Sequence, residues 1–409
     1  MQQHVLEAID PRVLGQRLQE ARKARGFTQQ DVADSLSLAR TTVTALEKGE
    51  RRIRPDELIQ LAKLYGRDVS DLVGPREMTA EFSVQFRTAF ASAGSQEART
   101  ELEQGVQEFQ HLCEDYLYLE RLNALRVTRV YPPQHPFEGL APEEVAEDVA
   151  SSERNRLGLG DGPVLNLRET LENDVGLRIF YVSLPSRVAG LFAYTDDLGG
   201  CIAANALHPE ERRRWSLAHE YGHFLTSRFH PEISVLAAYR RKPASERFAD
   251  AFARCFLMPA AGVRRRFNEM SRLSGGSITA AEVCRVAYFY FVSVEAMMLR
   301  LEELHLLPSG TWERLHDRGF KVREAQEQLG LTPRPDADQA LPIRYQFLAV
   351  RAYQEAELTE GELARLLRVD RVQARRIVQA LTHPSHVLDE GEVATLSLDL
   401  ASSIGRQES

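Results

Sequence analysis

His219, Glu220 and His223 fall within the run WSLAHEYGHFL at 215–225. On a helix, side chains four residues apart differ by about 40° and project from one face. Both imidazoles can then reach one tetrahedral Zn2+ with a position left for water. Glu220 lies about 100° further round, where it reaches that water rather than the metal. Zinc lowers the pKa of water, and a carboxylate there can take its proton and pass it to a departing amine, which is the chemistry of peptide-bond hydrolysis. An HExxH match arises by chance in roughly 2% of chains this long. Here it sits in a long, apolar-periodic, proline-free segment, as the chemistry requires.

Catalytic zinc normally takes three protein ligands. No HxxGxxH extension follows, which argues against the metzincin pattern. The favoured third ligand is Glu246, in SERFADAFARCF. Ala249 and Ala253 follow it at three and seven residues, giving a small-residue stripe along which two helices can approach, while Phe252 and Phe256 pack the adjoining face. Asp250, one turn beyond Glu246, is either a partner that orients an imidazole or a ligand itself. His230 and Glu232 also stay open for the third ligand position. The run GGCIAAN reads either as a structural strand or as an exposed one able to hold an extended peptide by backbone pairing. For the oxyanion of the transition state, Tyr221, Tyr239 and several arginines stay open.

These elements need a scaffold. From about 141 the pattern is α+β: APEEVAEDVASSERNRLG reads as a helix with Pro142 in its first turn, and RETLENDVG as a helix ended by Gly176. Strands LRIFYVSL, GLFAYT and GCIAAN follow, the last two around a DDLGG turn. Then come the HEYGH helix, the SERFADAFARCFLMP helix stopped by Pro259, and a helical pair over about 279–304.

Residues of about 141–305 resemble the ImmA/IrrE family of bacterial zinc metallopeptidases, on GCIAAN, RRRWSLAHEYGHFL, ERFADAFARCFLMP and FVSVEAMMLRLEEL. The resemblance implies that His219, His223 and Glu246 bind zinc and that Glu220 is the catalytic base. It further implies cleavage of repressors of the XRE type, releasing stress, DNA-damage or mobile-element genes. In other members the peptidase-like domain is held to sense rather than cut.

The amino-terminal run LGQRLQEARKARGFTQQDVADSLSLARTTVTALEKGERRI has a different logic. Thr28 and Asp31 make a capping-box start for a helix, and ARTTVTALEKG reads as the next, stopped by Gly49. Two helices joined by about three residues match helix-turn-helix geometry. Arg40, Thr41, Thr42 and Thr44 are placed to read base edges, Val43 and Leu46 face the core, and Gln29 either bonds a phosphate or orients a neighbour. Over about 13–73 the segment resembles the XRE/Cro-repressor helix-turn-helix, including FTQ and ALEKGERR, which implies binding of double-stranded operator DNA by a homodimer.

The device recurs in ELTEGELARLLRVDRVQARRIVQAL. Thr359 with Glu362 makes a capping box, VD is the turn, and Arg371, Arg375 and Arg376 line a later helix. This segment is either a second nucleic-acid contact or a solvated helix of a packing module. Between head and α+β region, FQHLCEDYLYLERLNAL is heptad-like, a connector with one buried stripe or a dimerisation helix.

Length and composition bound these readings. At roughly 150 residues per domain, 409 residues suggest two to four domains. The net charge of −8 shows no overall pull toward nucleic acid, but residues 1–75 carry 12 basic and 11 acidic side chains, leaving the acid in the body. Basic residues cluster at Arg22–Lys23–Arg25 and Lys48–Arg51–Arg52–Arg54, suited to phosphate contacts. Four dispersed cysteines without a CxxC pair fit buried thiols in a reducing compartment. With no secretory signal and no run long enough to span a membrane, the expected location is cytoplasmic.

The expectation is a multidomain chain. An all-α helix-turn-helix head covers 1–75 and a helical connector 76–137. An α+β zincin-like metallopeptidase domain with a small sheet covers 138–310, and an all-α module 311–409. Its expected function is a DNA-binding regulator that cleaves a protein, with a repressor of its own kind as one candidate substrate and Zn2+ as cofactor. The second reading is a transcription factor whose peptidase-like domain is a sensor.

Overall fold

The computed structural model describes residues 10–24, 27–65, 69–73, 96–124, 131–136, 140–229, 232–235, 243–276, 278–331, 340–382, 385–387 and 393–395. The chain divides into two compact units, residues 1–87 and 88–409.

The described residues of the first unit form helices only: α1 (Pro11–Ala24), α2 (Gln29–Ser35), α3 (Arg40–Glu47), α4 (Pro55–Tyr65) and α5 (Val69–Val73). Thr28 starts α2 with a full capping box: its hydroxyl accepts from Asp31 N at 3.1 Å, and Asp31 Oδ2 accepts from Thr28 N at 2.7 Å. Leu14, Leu18 and Ala21 of α1 meet Val32, Ala33, Val43 and Leu46 in the core. Within this core the Glu47 carboxylate accepts two bonds from the Arg22 guanidinium, at 2.5 and 3.0 Å. A buried carboxylate is tolerated only when so paired.

The second unit is built on a four-stranded sheet. Helix α6 (Gln96–Leu122) leads to α7 (Pro142–Arg156) and to α8 (Leu167–Thr170), which runs on as one π turn (Leu171–Val175) closed by left-handed Gly176. Strands β1 (Arg178–Val182), β2 (Val188–Thr195) and β3 (Gly199–Asn205) precede α9 (Glu210–Ser227), β4 (Glu232–Val235) and α10 (Ala244–Leu257). Five helices follow: α11 (Ala260–Leu273), α12 (Ala280–Tyr290), α13 (Val294–Glu303), α14 (Thr311–Asp317) and α15 (Val322–Gln328). The carboxy-terminal elements are α16 (Ile343–Gln354), α17 (Glu360–Leu366), α18 (Arg371–Thr382) and a short hairpin, β5 (Ser385–Val387) with β6 (Val393–Thr395).

The sheet order is β1-β3-β2-β4, with β1 parallel to β3 and the other pairs antiparallel. Strand β3, the GGCIAAN run, is therefore an inner strand, buried at every position. Of the two readings of this run, the structural strand is the one observed and the exposed, peptide-pairing strand is corrected: both its edges are already hydrogen-bonded, to β1 and β2. Strand β4 is not anticipated by the sequence pattern.

Each face of the sheet carries helices. On one, Ile179, Phe192, Ile202 and Ala204 join the core under α9 and α10, and Phe192 meets Phe224 edge-on at 6.0 Å. On the other, Phe180 contacts Phe109 and Tyr116 of α6 and Tyr345 of α16, at 6.5, 6.2 and 6.2 Å. The heptad-like stripe of α6 (Leu102, Val106, Phe109, Leu112, Tyr116, Leu119) is thus buried inside its own unit. As a dimerisation surface it is already spent. Glu120 of α6 bonds Arg178 of β1 and lies 3.4 Å from Arg344 of α16, closing the junction with charge.

Residues 131–136 are tied to the sheet and α9. Tyr131 Oη accepts from Gly200 N at 3.1 Å, His135 N donates to Leu225 O, and Arg228 donates to Pro132 O. In the π turn, burial pushes the Glu172 carboxyl up to about 7, although Arg168, 3.4 Å away, opposes it. All four cysteines are buried thiols. Among the described residues, no helix is long and apolar enough to cross a membrane.

Candidate metal centre and nucleic-acid interface

Helix α9 lies on the sheet and presents His219, Glu220 and His223 inward, at 6%, 0% and 0% exposure. Helix α10 crosses it closely because Gly222 faces Ala249. A Cβ on Gly222 would stand 3.1 Å from the Ala249 Cα and 3.3 Å from Phe252, so only glycine allows this approach without adjustment. Ala249 is the member of the alanine stripe that meets Gly222, and Phe248, Phe252 and Phe256 stack along α10 at 6.2 and 5.3 Å.

That crossing brings Glu246 to the two histidines. Its carboxylate oxygens lie 3.6 Å from His219 Nε2 and 3.5 Å from His223 Nε2, while the two Nε2 atoms are 3.1 Å apart. The three ligand-capable atoms fall within 4.8 Å of one another. Bonds of about 2.05 Å to a tetrahedral zinc imply ligand separations of about 3.3 Å, which these distances bracket. Asp250 Oδ1 lies 3.0 Å from His219 Nδ1. A carboxylate only accepts, so the His219 proton belongs on Nδ1 and the Nε2 lone pair turns toward His223 and Glu246. Two imidazole nitrogens and a carboxylate directing lone pairs at one point repel unless a cation lies between them. The donor set therefore fits zinc.

Asp250 thus stands beside His219 rather than among the three converging atoms. Glu232 lies on β4, paired with Phe192; His230 and Tyr239 lie outside the described residues. Tyr221 is engaged elsewhere: its hydroxyl donates to Glu153 and accepts from Arg156 at 3.2 Å, and burial first, then Glu153, pushes its pKa far up.

One further residue shapes the site without being singled out by sequence reasoning. Gly190 of β2 lies beneath Glu220: a Cβ there would stand 2.6 Å from Glu220 Oε1 and 3.1 Å from Ala203 O. The absent side chain makes the berth for the carboxylate. A glycine inside a strand signals close approach of another group, so the signal was present in VAGLFAYT.

In the head, α3 exposes Arg40 and Thr41 and half-buries Thr42 and Thr44, while Val43 and Leu46 are buried. Gln29 orients a neighbour: it accepts from Thr44 Oγ1 at 3.1 Å and donates to Glu47 Oε2 at 2.9 Å. The single proton of the Thr44 hydroxyl is shared between Gln29 Oε1 and Arg40 O, 3.0 Å away, and the Gln29 contact braces the α2–α3 pair. Arg51 and Arg54 both bond Glu57, which limits the basic cluster there.

Comparison with known proteins assigns both regions. Residues 172–302 match the family model described as the IrrE N-terminal-like domain, a peptidase family. Residues 18–72 match the helix-turn-helix model. The HTH-type transcriptional regulator ImmR of Bacillus subtilis (strain 168) is 28% identical over 88 residues, 22% of this chain and 69% of that protein. A crystal structure of ComR from Streptococcus suis aligns over 91% of this chain and 93% of that one at 10% identity, with a TM-score of 0.16, which establishes no shared arrangement.

Proposed function

We propose that this chain, in which an XRE-type helix-turn-helix is joined to an IrrE-type peptidase-family domain, is a transcriptional regulator that acts as a zinc-dependent endopeptidase. Its substrate is a protein, in the first instance a repressor of the XRE type. Cleavage would relieve repression in a stress, DNA-damage or mobile-element response. The head binds double-stranded operator DNA through Arg40, Thr41, Thr42 and Thr44 as a homodimer on a palindrome. Gln29 holds Thr44 in place.

The observation that carries the catalytic reading is the convergence of His219, His223 and Glu246 above a buried Glu220. The two histidine Nε2 atoms and a Glu246 oxygen would hold the metal. When bound, zinc would polarise the scissile carbonyl and acidify a water. Asp250 keeps the proton of His219 on Nδ1 and so its lone pair on Nε2. Glu220 takes the proton from the attacking water at a carboxylate oxygen and delivers it to the leaving amine. Gly190 fixes where that oxygen stands. Burial of Glu220 and His223 strengthens the electrostatic interactions they make.

The test is Glu220→Gln, which retains zinc and loses the base. The repressor should stay intact and the regulated genes silent in cells carrying this variant. If those genes respond as in the parent, proteolysis is excluded and the domain is a sensor.

A further inference from the structure

The carboxy-terminal helices repeat the head's helix-turn-helix step for step. Thr28 caps α2 and Thr359 caps α17, each completing a capping box with the acidic residue three positions on, Asp31 or Glu362. Both helices span seven residues. Each then turns through a residue held left-handed, Ser37 at φ 53° and Arg368 at φ 57°. In each turn the next residue's N–H returns to the helix: Leu38 to Ala33 O at 2.9 Å, and Val369 to Ala364 O at 3.0 Å. The following helix opens on Arg40 in one and on Arg371 in the other. The buried positions coincide too: Val32 with Leu363, Ala33 with Ala364, Val43 with Ala374. The left-handed residue with its returning bond also closes helices at Phe291, His305 and Ala356, so what the two segments share beyond it is the spacing, with Ser37 and Arg368 at the same distance from their capping threonines and Arg40 and Arg371 likewise.

The surface this geometry presents is basic. Helix α18 carries Arg371, Arg375 and Arg376 and no acidic side chain, and all three arginines and Gln373 are exposed. Arg375, itself largely exposed, pairs with the half-buried Glu360 at 2.9 Å. Arg371 and Arg376 have no ion-pair partner among the described residues. Arginine and glutamine are the side chains that bond guanine and adenine edges in the major groove, and arginine also neutralises phosphate.

We propose that residues 343–382 form a second duplex-DNA-binding element with α18 as its reading helix, a role independent of the metal centre. The test uses the full-length chain carrying Arg40→Ala and Thr42→Ala, which weaken the head's own contacts. Its affinity for a fluorescent DNA duplex is measured by anisotropy across a salt series. Adding Arg371→Ala and Arg376→Ala should make the salt dependence shallower by about 2 in log–log slope and weaken binding at least tenfold at about 0.1 M salt. Arg371→Lys with Arg376→Lys should restore the slope, since charge is kept. Both positions are exposed, so the melting curve should not move. An unchanged slope would overturn the proposal. So would an equal loss on duplex RNA, whose major groove is too narrow to admit a helix.

Discussion

Gly190→Ala isolates what the strand does for the catalytic carboxylate. The added methyl would lie 2.6 Å from Glu220 Oε1, short of ordinary carbon–oxygen contact by about 0.8 Å. It cannot retreat toward the sheet, because Ala203 O, on the paired strand, is already 3.1 Å away. The carboxylate must give way. A displacement approaching 1 Å at a reacting group costs roughly 30- to 100-fold in turnover, and overpacking a tight site costs about 1–3 kcal/mol of stability. Cleavage rate, zinc content and urea unfolding would be measured on the parent, Gly190→Ala, Glu220→Ala and the double variant. Turnover should collapse in Gly190→Ala while zinc content is kept, because the atoms nearest the new methyl belong to Glu220 and Ala203 and not to a ligand residue. The stability cost should shrink by about 1 kcal/mol or more in the Glu220→Ala background, where the obstructing carboxylate is gone. Additive stability losses, or a Gly190→Ala protein that cleaves at the parent rate, would refute the berth.

Two further outcomes follow from the geometry. Asp250→Ala removes the acceptor from His219 Nδ1, so zinc affinity measured by chelator competition should fall 10- to 100-fold; unchanged affinity would show that His219 needs no such partner. Glu172 has its pKa raised to about 7 by burial, above its ordinary 4.5. A raised carboxyl binds its proton more tightly when folded, so stability falls as pH climbs from about 4.5 to 7, by about 3 kcal/mol in all. Glu172→Gln should come close to the parent at about pH 4 and exceed it at about pH 8 in urea unfolding; an unchanged difference between those two values would remove Glu172 as a source of alkaline strain.

Much of this was legible because it is local. A helical period of 3.6 places His219 beside His223, and a threonine three residues before an acid, ahead of an apolar-periodic run, signals a helix start, so both capping boxes and the HExxH face follow from spacing alone. Glu246 was accessible one step further, since alanines at three and seven residues announce a close helix crossing. What escaped the sequence was the identity of the covering surface. The apolar stripe of α6 declares that one face is buried, but its period is the same whether a second copy or β1 and α16 bury it. The small and apolar residues of GGCIAAN suit an inner strand and an edge strand equally, and neighbours from β1 and β2 decide between them. Gly190 carried a signal, but its meaning depends on Glu220, thirty residues later and in a different element.

The burial of α6 has a consequence for how the chain is made. Tyr116 and the Arg344 that bonds its hydroxyl are 228 residues apart, and Tyr345 stacks on Tyr116 at 5.5 Å. At about 5–20 residues per second of synthesis, the α6 stripe waits roughly 10–45 s before its last covering helix leaves the ribosome. During that interval it is an amphipathic helix with an uncovered aromatic face. Chains released before residue 340 would keep that face open permanently. Such truncated products should collect in the insoluble fraction and on chaperones rather than persist as shorter soluble regulators.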